Sequence, residues 1–293
     1  MKATQLAAMA LRGLVPFRPA LRRLKRTVRP YQDNRANSNH CISNGLEQLA
    51  APREAGISVA GATVLEFGSS WLPLIPMLFY LAGAGRLILT DIERLMDART
   101  EAMARARITE RIDDIAAALA APREALLARL DNFAADYCVP WNPQAHPADD
   151  VDLVILRATF EHVPVDQLRF FLAQFHRILG PGGATCHVID NSDHWEHKNK
   201  SLSRVAFLRY EETDWVWRLA QVNTQGFQNR LRHADYRALL QEAGFRVVLE
   251  RGTPDPPCVE DLKRLPLASR FRGRPAEDLA VLTSLFVAMK PGT

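Results

Sequence analysis

The sequence predicts an α/β fold with a doubly wound, Rossmann-like sheet of seven strands, the last of which is antiparallel. Short apolar runs alternate along the chain with longer segments of helical periodicity, which is typical of a mostly parallel sheet. The run at 63–67 contains Glu66 near its end and is followed by a turn at Gly68. The run at 86–90 is followed directly by Asp91. Both carboxylates are therefore expected at the carboxyl ends of neighbouring strands, where such folds bind ligands.

The elements follow in chain order. Proline is tolerated in a first turn, so a helix is predicted to begin at Pro73. Residues 92–130 have apolar spacings near 3.6, which predicts two helices with a break near Pro122. The full set comprises a short helix at 44–51, strands at 63–67, 86–90, 133–139, 151–156, 184–189, 245–250 and 279–289, and further helices at 73–81, 166–179 and 233–243.

The chain is predicted to have two parts. Residues 1–60 form a basic N-terminal arm or lid, and residues 61–293 form the main domain. Within that domain, 92–130 is expected to be a helical insertion. The segment 190–232 mixes aromatic and charged residues and does not fit a simple crossover, so we interpret it as a substrate cap.

Positive charge is concentrated in the arm. The chain has a net charge of +4, yet eight basic residues and no acid occur up to Gln32, which leaves the remainder at about −4. A basic arm can contact anionic lipid or nucleic acid, and the alternative is a solvated helix or lid. Because no aromatic stacking motif accompanies the arm, we expect no nucleic-acid partner. Peripheral contact with an anionic membrane stays open.

Composition favours a cytoplasmic protein. No apolar run reaches the ~18 residues that predict a membrane-spanning helix. Arg12 and Arg18 interrupt the N-terminal apolar stretch, which argues against a signal peptide. The four cysteines are scattered without a C-x-x-C pair, so we interpret them as reduced thiols rather than as a disulfide frame or a zinc site.

Five motifs in order carry a resemblance to a known family. They are Val64-Leu-Glu-x-Gly-x-Ser70, Leu89-Thr-Asp91, Asp152-Leu-Val-x₆-Glu161-His-Val163, His176-Arg-Ile-Leu-Gly-Pro-Gly-Gly183 and Asp235-Tyr-x₂-Leu-Leu-x₂-Ala-Gly-Phe245. Together they resemble the class I S-adenosylmethionine-dependent methyltransferases of the type 11 group over residues 60–290. The resemblance implies S-adenosylmethionine as cofactor and a small or medium organic molecule as methyl acceptor.

The resemblance also implies the cofactor site. It places Glu66 near the methionine amino group, Asp91 at the ribose hydroxyls, and Asn142 near the adenine amino group, with Asp136 as the alternative. The complete set of implied cofactor contacts is Glu66, Gly68, Ser70, Asp91, Ile92, Asn142, Arg157 and Ala158. The carboxylates of Glu66 and Asp91 suit S-adenosylmethionine, because an ammonium prefers a carboxylate and one carboxylate can accept from two hydroxyls.

The glycine loop departs from the family pattern. The family has acid-x-Gly-x-Gly-x-Gly, whereas Ser70 and Leu72 stand at the second and third glycines here. This departure motivates one alternative, a non-catalytic relative that serves as a scaffold or binds a partner. A nicotinamide-dependent enzyme is a weaker alternative, because G-x-G-x-x-G is absent. An RNA methyltransferase would need a basic body, which this chain lacks.

Histidines supply the candidate catalytic groups. Transfer to a hydroxyl requires a general base, and histidine has a suitable pKa. His194 and His162 are the predicted catalytic residues, and O-methylation is slightly favoured over N- or C-methylation. We expect no metal site, although the cluster Asp190, Asp193, His194 and His197 could instead bind a metal or form a plain surface loop. Glu161 and His162 have a purely structural alternative in the first turn of a helix.

Overall fold

The fold is built on one seven-stranded mixed sheet, seen in a computed structural model that describes residues 31–221 and 227–292. The strands are β1 Thr63–Phe67, β2 Arg86–Thr90, β3 Asp136–Cys138, β4 Val151–Arg157, β5 Leu179–Asp190, β6 Arg246–Arg251 and β7 Thr283–Met289. Their order is β3-β2-β1-β4-β5-β7-β6. Strands β1 to β5 pair in parallel, and β7 is antiparallel to both of its neighbours. The predicted fold class is confirmed.

Helices pack on both faces of the sheet. They are α1 Arg35–Glu54, α2 Leu74–Leu81, α3 Ala98–Glu110, α4 Ile112–Leu119, α5 Arg123–Asp131, α6 Val165–Ile178, α7 Trp215–Gln221, α8 His233–Glu242, α9 Pro256–Leu262 and α10 Ala276–Leu279. One core cluster lies between the sheet and α1 to α5, and a second lies between the sheet and α6 and α8. Strands β1 and β4 are apolar on both faces because helices cover both sides.

The strand order reverses between β1 and β4. Strand β1 pairs with β2 on one side and with β4 on the other. At such a switch point the crossover helices leave toward opposite faces, so a crevice opens at the carboxyl ends of the two strands. The residues that follow β1, β2 and β4 therefore surround this crevice.

Helix α1 is much longer than the predicted helix at 44–51. The side chain of Asn34 accepts from the backbone N–H groups of Ala36 and Asn37 and so caps its start. Ile42 and Leu49 belong to the main core. The sequence did not predict that the helix begins at Arg35, because the polar residues at 37–40 are typical of loops. Their side chains compete with the backbone for hydrogen bonds.

The segment after β2 also differs in detail from the prediction. Three helices, α3 to α5, stand where two were predicted, with an additional break at Arg111 besides the predicted one near Pro122. Strand β3 is three residues long, shorter than the predicted 133–139. Phe133 packs in the core beside the helices instead of extending the strand. As an edge strand, β3 has a partner on one side only.

The segment 190–232 shares a core with the C-terminal part of the chain. Phe207 and Trp217 pack with Leu262 and Phe271 in a third cluster, separate from the two that flank the sheet. Trp215 instead lies 66% exposed. The residues described here thus form a small packed unit beside the carboxyl edge of the sheet.

Helix α1 belongs to the predicted arm at 1–60, whereas the part of the arm with the eight basic residues that occur up to Gln32 precedes residue 31 and lies outside the described residues. Its predicted contacts therefore stay predictions. Across residues 31–221 and 227–292, no helix is both long enough and apolar enough to cross a membrane.

Candidate active site

The turn after β1 is held against the end of β2. The backbone N–H groups of Gly68 and Ser69 both donate to the carbonyl of Thr90, at 2.9 and 3.0 Å. Gly68 has a φ of +89°. A Cβ at this position would lie 2.6 Å from Oγ1 of Thr159. Only glycine fits this turn without displacing the loop after β4.

Ser70 keeps the backbone conformation of the glycine that it replaces. Its φ is +55°, in the left-handed region that costs a side chain about 1–2 kcal/mol. The Ser70 N–H donates to Oδ2 of Asp91 at 3.0 Å, which holds the loop in place. The other oxygen, Oδ1, accepts from the N–H of Ile92 at 2.7 Å. The substitution therefore changes the side chain while the loop keeps a glycine-like path.

Glu66 is a buried acid without a full set of partners. Its side chain is 6% exposed, and Oε2 has no hydrogen-bond partner among the described residues. Burial raises the pKa of Glu66 to about 8, and the negative charge of Asp91 adds to this effect, while the Ser69 hydroxyl opposes it. An orphaned carboxylate oxygen at the end of β1 is a ready acceptor for a ligand ammonium.

The loop after β3 reaches the same edge of the sheet. The backbone N–H of Trp141 donates to the backbone carbonyl of Asp91 at 3.2 Å, and Oδ1 of Asn142 accepts from the backbone N–H of Gln144. The Trp141 ring packs against Phe67. Asp136, the alternative to Asn142, begins β3 and is therefore at the opposite end of that strand from the crevice.

Arg157 and Ala158 end β4 and line a large cleft. The cleft has a volume of about 1100 Å³ and lies between α1, the end of β5 and residues 251–256. Arg157 donates to the carbonyl of Asn44 in α1 at 3.4 Å. Burial lowers the pKa of the Arg157 guanidinium, and carboxylates that include Asp190 partly offset this effect. The residues of α1 that line this cleft fall within the predicted arm or lid at 1–60.

Helix α1 is tied to the sheet at the floor of the cleft. The Gln48 amide donates to the carbonyls of Leu156 and Cys186, at 3.0 and 3.3 Å, and its side chain is fully buried. These carbonyls belong to β4 and β5, so α1 covers the carboxyl half of the sheet. No periodic signal in the sequence marks Gln48 for this role, because its partners lie more than a hundred residues away.

The two predicted catalytic histidines lie next to each other. The ring centroids of His162 and His194 are 4.9 Å apart, and those of His194 and His197 are 4.8 Å apart. Nδ1 of His162 is 2.7 Å from the carbonyl of Phe227. A carbonyl only accepts, so Nδ1 carries the hydrogen and Nε2 has a free lone pair. Burial lowers the pKa of His162, and the neighbouring His194 adds to this effect.

Two carboxylates accompany these histidines. Oδ2 of Asp190 is 3.4 Å from Nε2 of His194 and 4.0 Å from Nε2 of His197. Burial favours the neutral form of Asp190, but hydrogen bonds from His194 and Ser192 outweigh it and hold its pKa at about 2. Glu161 is 2% exposed, and burial raises its pKa well above the usual range.

Other sequence candidates have structural roles. Arg230 donates to the carbonyls of Phe207 and Tyr210, and Arg232 is fully buried. The Arg230 guanidinium also pairs with Glu212 at 2.6 Å, and the Arg232 guanidinium donates to the carbonyls of Asn191, Leu279 and Val281.

Glu66 lies at the end of β1, Asp91 follows β2, and the cleft begins at the end of β4. In a parallel sheet, this arrangement is typical of a nucleotide-type cofactor site with an adjoining acceptor site. The sequence family described as "Methyltransferase domain" matches residues 42–250. The chain belongs to this family, the class I S-adenosylmethionine-dependent methyltransferases, whose members use S-adenosylmethionine as methyl donor. No curated protein matches the chain.

Two solved structures are similar to this chain at low sequence identity. An S-adenosylmethionine-dependent methyltransferase from Mesorhizobium loti is 14% identical, with a TM-score of 0.46, over 82% of this chain and 96% of that chain. An S-adenosylmethionine-dependent methyltransferase from Methanosarcina mazei is 13% identical, with a TM-score of 0.44, over 80% of this chain and 94% of that one.

Proposed function

We propose that this methyltransferase methylates a hydroxyl oxygen of a small or medium organic molecule bound in the cleft. The observation that carries the proposal is the position of the cleft. It begins at Arg157 and Ala158 at the end of β4 and includes Asp190 and His197 at and after the end of β5. An acceptor there would lie beside the methionine end of the cofactor and beside imidazole side chains.

The cofactor residues would act as a set. The orphaned Oε2 of Glu66 would accept from the ammonium, Asp91 would accept from the ribose hydroxyls, and Ile92, 82% exposed, would offer an apolar face to the adenine. We assign the cofactor to Glu66, Gly68, Ser70, Asp91, Ile92, Asn142, Arg157 and Ala158. When bound, S-adenosylmethionine supplies an electrophilic methyl group on a sulfonium.

The protein contributes alignment and a route for a proton. Holding the acceptor oxygen at the methyl group in the correct direction converts an encounter into an intramolecular step. The hydroxyl must also lose its proton. His197 lines the cleft and stacks on His194, which lies beside His162. We propose that His162, whose Nε2 has a free lone pair, or His194, near Asp190, receives the proton through this row of imidazoles.

The cleft favours a small molecule over a polyanion. Its lining has four basic side chains and four acidic ones, which are Arg157, Lys200, Arg204, Arg251, Glu47, Asp190, Glu196 and Asp255. Two of the basic groups are paired within the lining, Arg204 with Asp255 and Lys200 with Glu196. Nucleic acid would require a surplus of positive charge. We therefore propose a cytoplasmic enzyme without a nucleic-acid substrate.

Asp91→Ala is expected to weaken cofactor binding by about 2 kcal/mol, because a charged hydrogen-bond acceptor is lost. Calorimetry with S-adenosylmethionine and S-adenosylhomocysteine would measure the effect. The matched control is Asp97→Ala. Asp97 also accepts from a backbone N–H, that of Thr100, and only caps α3. It should leave cofactor affinity unchanged. Failure of the wild type to bind either compound would refute the proposal in favour of a non-catalytic scaffold.

Cofactor binding is expected to release a proton from Glu66. With a pKa of about 8, Glu66 is mostly neutral at pH 7, and an ammonium ligand stabilises its charged form. Affinity should therefore rise with pH up to about 8 and then level off. Asp91 and Cys41 face the same carboxyl, and burial raises the pKa of the Cys41 thiol to about 11, above this window.

Calorimetry in buffers of different ionisation enthalpy would count the released protons. Glu66→Gln keeps the side-chain shape and removes the titrating group. The variant should bind more weakly, and its binding should release no proton in this window. Equal proton release by the variant and the wild type would show that another group titrates.

A further inference from the structure

Five metal-ligand side chains converge next to the cleft. Glu161, His162 and His194 form one group, and Asp190, His194 and His197 form another. In each group the three donor atoms lie within 4.8 Å of one another. The groups share His194, so a single ion would occupy one or the other. The two groups differ in how well the protein itself satisfies them.

The second group is explained by its own contacts. Asp190 Oδ1 accepts from the Ser192 N–H at 2.9 Å, and Oδ2 lies near both imidazoles. His197 also contacts the Ser192 hydroxyl at 3.3 Å. The Asp190 carboxylate therefore has contacts with two histidines and a serine, although Nε2 of His194 makes no hydrogen bond of good geometry within the described residues.

The first group contains an unexplained carboxyl. Glu161 is 2% exposed, and neither Oε1 nor Oε2 makes a hydrogen bond of good geometry in the part of the chain that the structure describes, although the backbone N–H groups of Glu161 and Asp190 are near enough to favour its charged form. Its donor atom nevertheless lies within 4.8 Å of donor nitrogens of both His162 and His194. A buried carboxyl without partners is costly whether charged or neutral. Something that binds there would remove this cost.

A protein cation does not fill the role. The positive charge of Arg157 lowers the pKa of Glu161, but the Arg157 guanidinium donates its hydrogen bond to the Asn44 carbonyl. The Nδ1 of His162 is already committed to the Phe227 carbonyl, which fixes the ring and leaves Nε2 free. Asp190 contacts the ring of His194. A carbonyl and a carboxylate are the usual outer partners of metal-binding histidines.

We propose that Glu161, His162 and His194 bind one divalent transition-metal ion such as Zn²⁺, Mn²⁺ or Co²⁺. Two imidazoles and one carboxylate suit these ions, and the remaining coordination positions are open to water. Calcium and magnesium prefer all-oxygen sites and are disfavoured. The ion would join the loops after β4 and β5 at the wall of the cleft.

The role of the ion, but not its binding, rests on the proposed function. Asp190 and His197 line the cleft and contact or stack on His194, so the ion would lie one side chain from the acceptor. His162 and His194 would then serve as ligands, and a hydroxide held on the cation would take up the acceptor's proton in place of a histidine base.

The test is a titration of metal-free full-length protein with Co²⁺. Binding is monitored by visible absorption and by calorimetry. We expect saturable binding of about one ion per chain and a visible spectrum typical of nitrogen and oxygen ligands. Glu161→Gln should weaken binding by about tenfold or more. The matched control is Asp150→Asn, because Asp150 lies 3.3 Å from Nε2 of His146 without a third ligand. It should bind as the wild type does.

Three results would overturn the proposal: no saturable binding, binding that Glu161→Gln leaves unchanged, or binding that depends on His197 but not on Glu161. Glu161→Gln is expected to fold, because it removes a buried acid without partners, and circular dichroism would check this. If Glu161→Gln does not fold, the thermal unfolding of the wild type is compared with and without Co²⁺. Bound metal must raise the midpoint, and an unchanged midpoint would overturn the proposal. S-adenosylhomocysteine binding, measured in parallel, separates this failure from failure of the proposed function.

Discussion

Gly68→Ala is expected to abolish measurable cofactor binding and to lower the free energy of unfolding by about 2–4 kcal/mol. Two costs combine. The φ of +89° strains any side chain, and the new Cβ would lie 2.6 Å from Oγ1 and 2.8 Å from Cγ2 of Thr159. Thr159 cannot simply rotate away at no cost, since its hydroxyl donates to the Arg157 carbonyl at 3.1 Å. Both loops around the crevice would have to move.

Gly61→Ala separates the two costs. Gly61 has a similar φ of +76°, and a Cβ there would meet nothing within 4 Å. This variant should lose only the strain energy, about 1–2 kcal/mol, and should keep its cofactor affinity. Denaturant unfolding and calorimetry would be run on both variants. Equal losses of stability, or full cofactor binding by Gly68→Ala, would contradict the close packing of the glycine loop on Thr159.

The central strands could be predicted from the sequence because their signal is local. Residues 63–67 and 86–90 are apolar runs bounded by turn residues and followed by polar loops, and β1 and β2 have those bounds. The acids Glu66 and Asp91 follow from the same pattern. In a parallel sheet the carboxyl ends of neighbouring strands lie together. The edge of the sheet to which we assign the cofactor could therefore be predicted without any knowledge of tertiary contacts.

The acceptor side could not be predicted in the same way, because its contacts are distant in the chain. Gln48 bonds to carbonyls of β4 and β5, and Arg230 is held by carbonyls at 207 and 210. A polar residue in a helix or a charged residue in a cap has the same local appearance whether it is exposed or buried. Motif spacing did place Glu161 beside His162, but only packing reveals that its carboxyl lacks partners.

Arg232→Met is expected to lower the free energy of unfolding by about 3 kcal/mol, although methionine fills much of the same space. The buried Arg232 guanidinium donates to the carbonyls of Asn191, Leu279 and Val281 at 2.7, 2.6 and 2.9 Å. Burial lowers its pKa to about 10, so it remains charged at neutral pH. Removing the charge recovers part of its desolvation cost, but three carbonyls then lose the guanidinium as a donor, and of these the Val281 carbonyl retains the Asn191 side-chain amide at 3.2 Å.

The matched control lies in α8, the helix that begins directly after Arg232. Arg237 in α8 pairs with Glu250 at 2.7 Å, and the two side chains are 41% and 37% exposed. Such a pair is screened by water, so Arg237→Met should cost less than about 1 kcal/mol. Because Asn191 directly follows Asp190, Arg232→Met should also disturb the acceptor side while S-adenosylhomocysteine affinity stays unchanged. Equal costs for the two variants would mean that Arg232 does not hold the loop after β5 to the segment before β7.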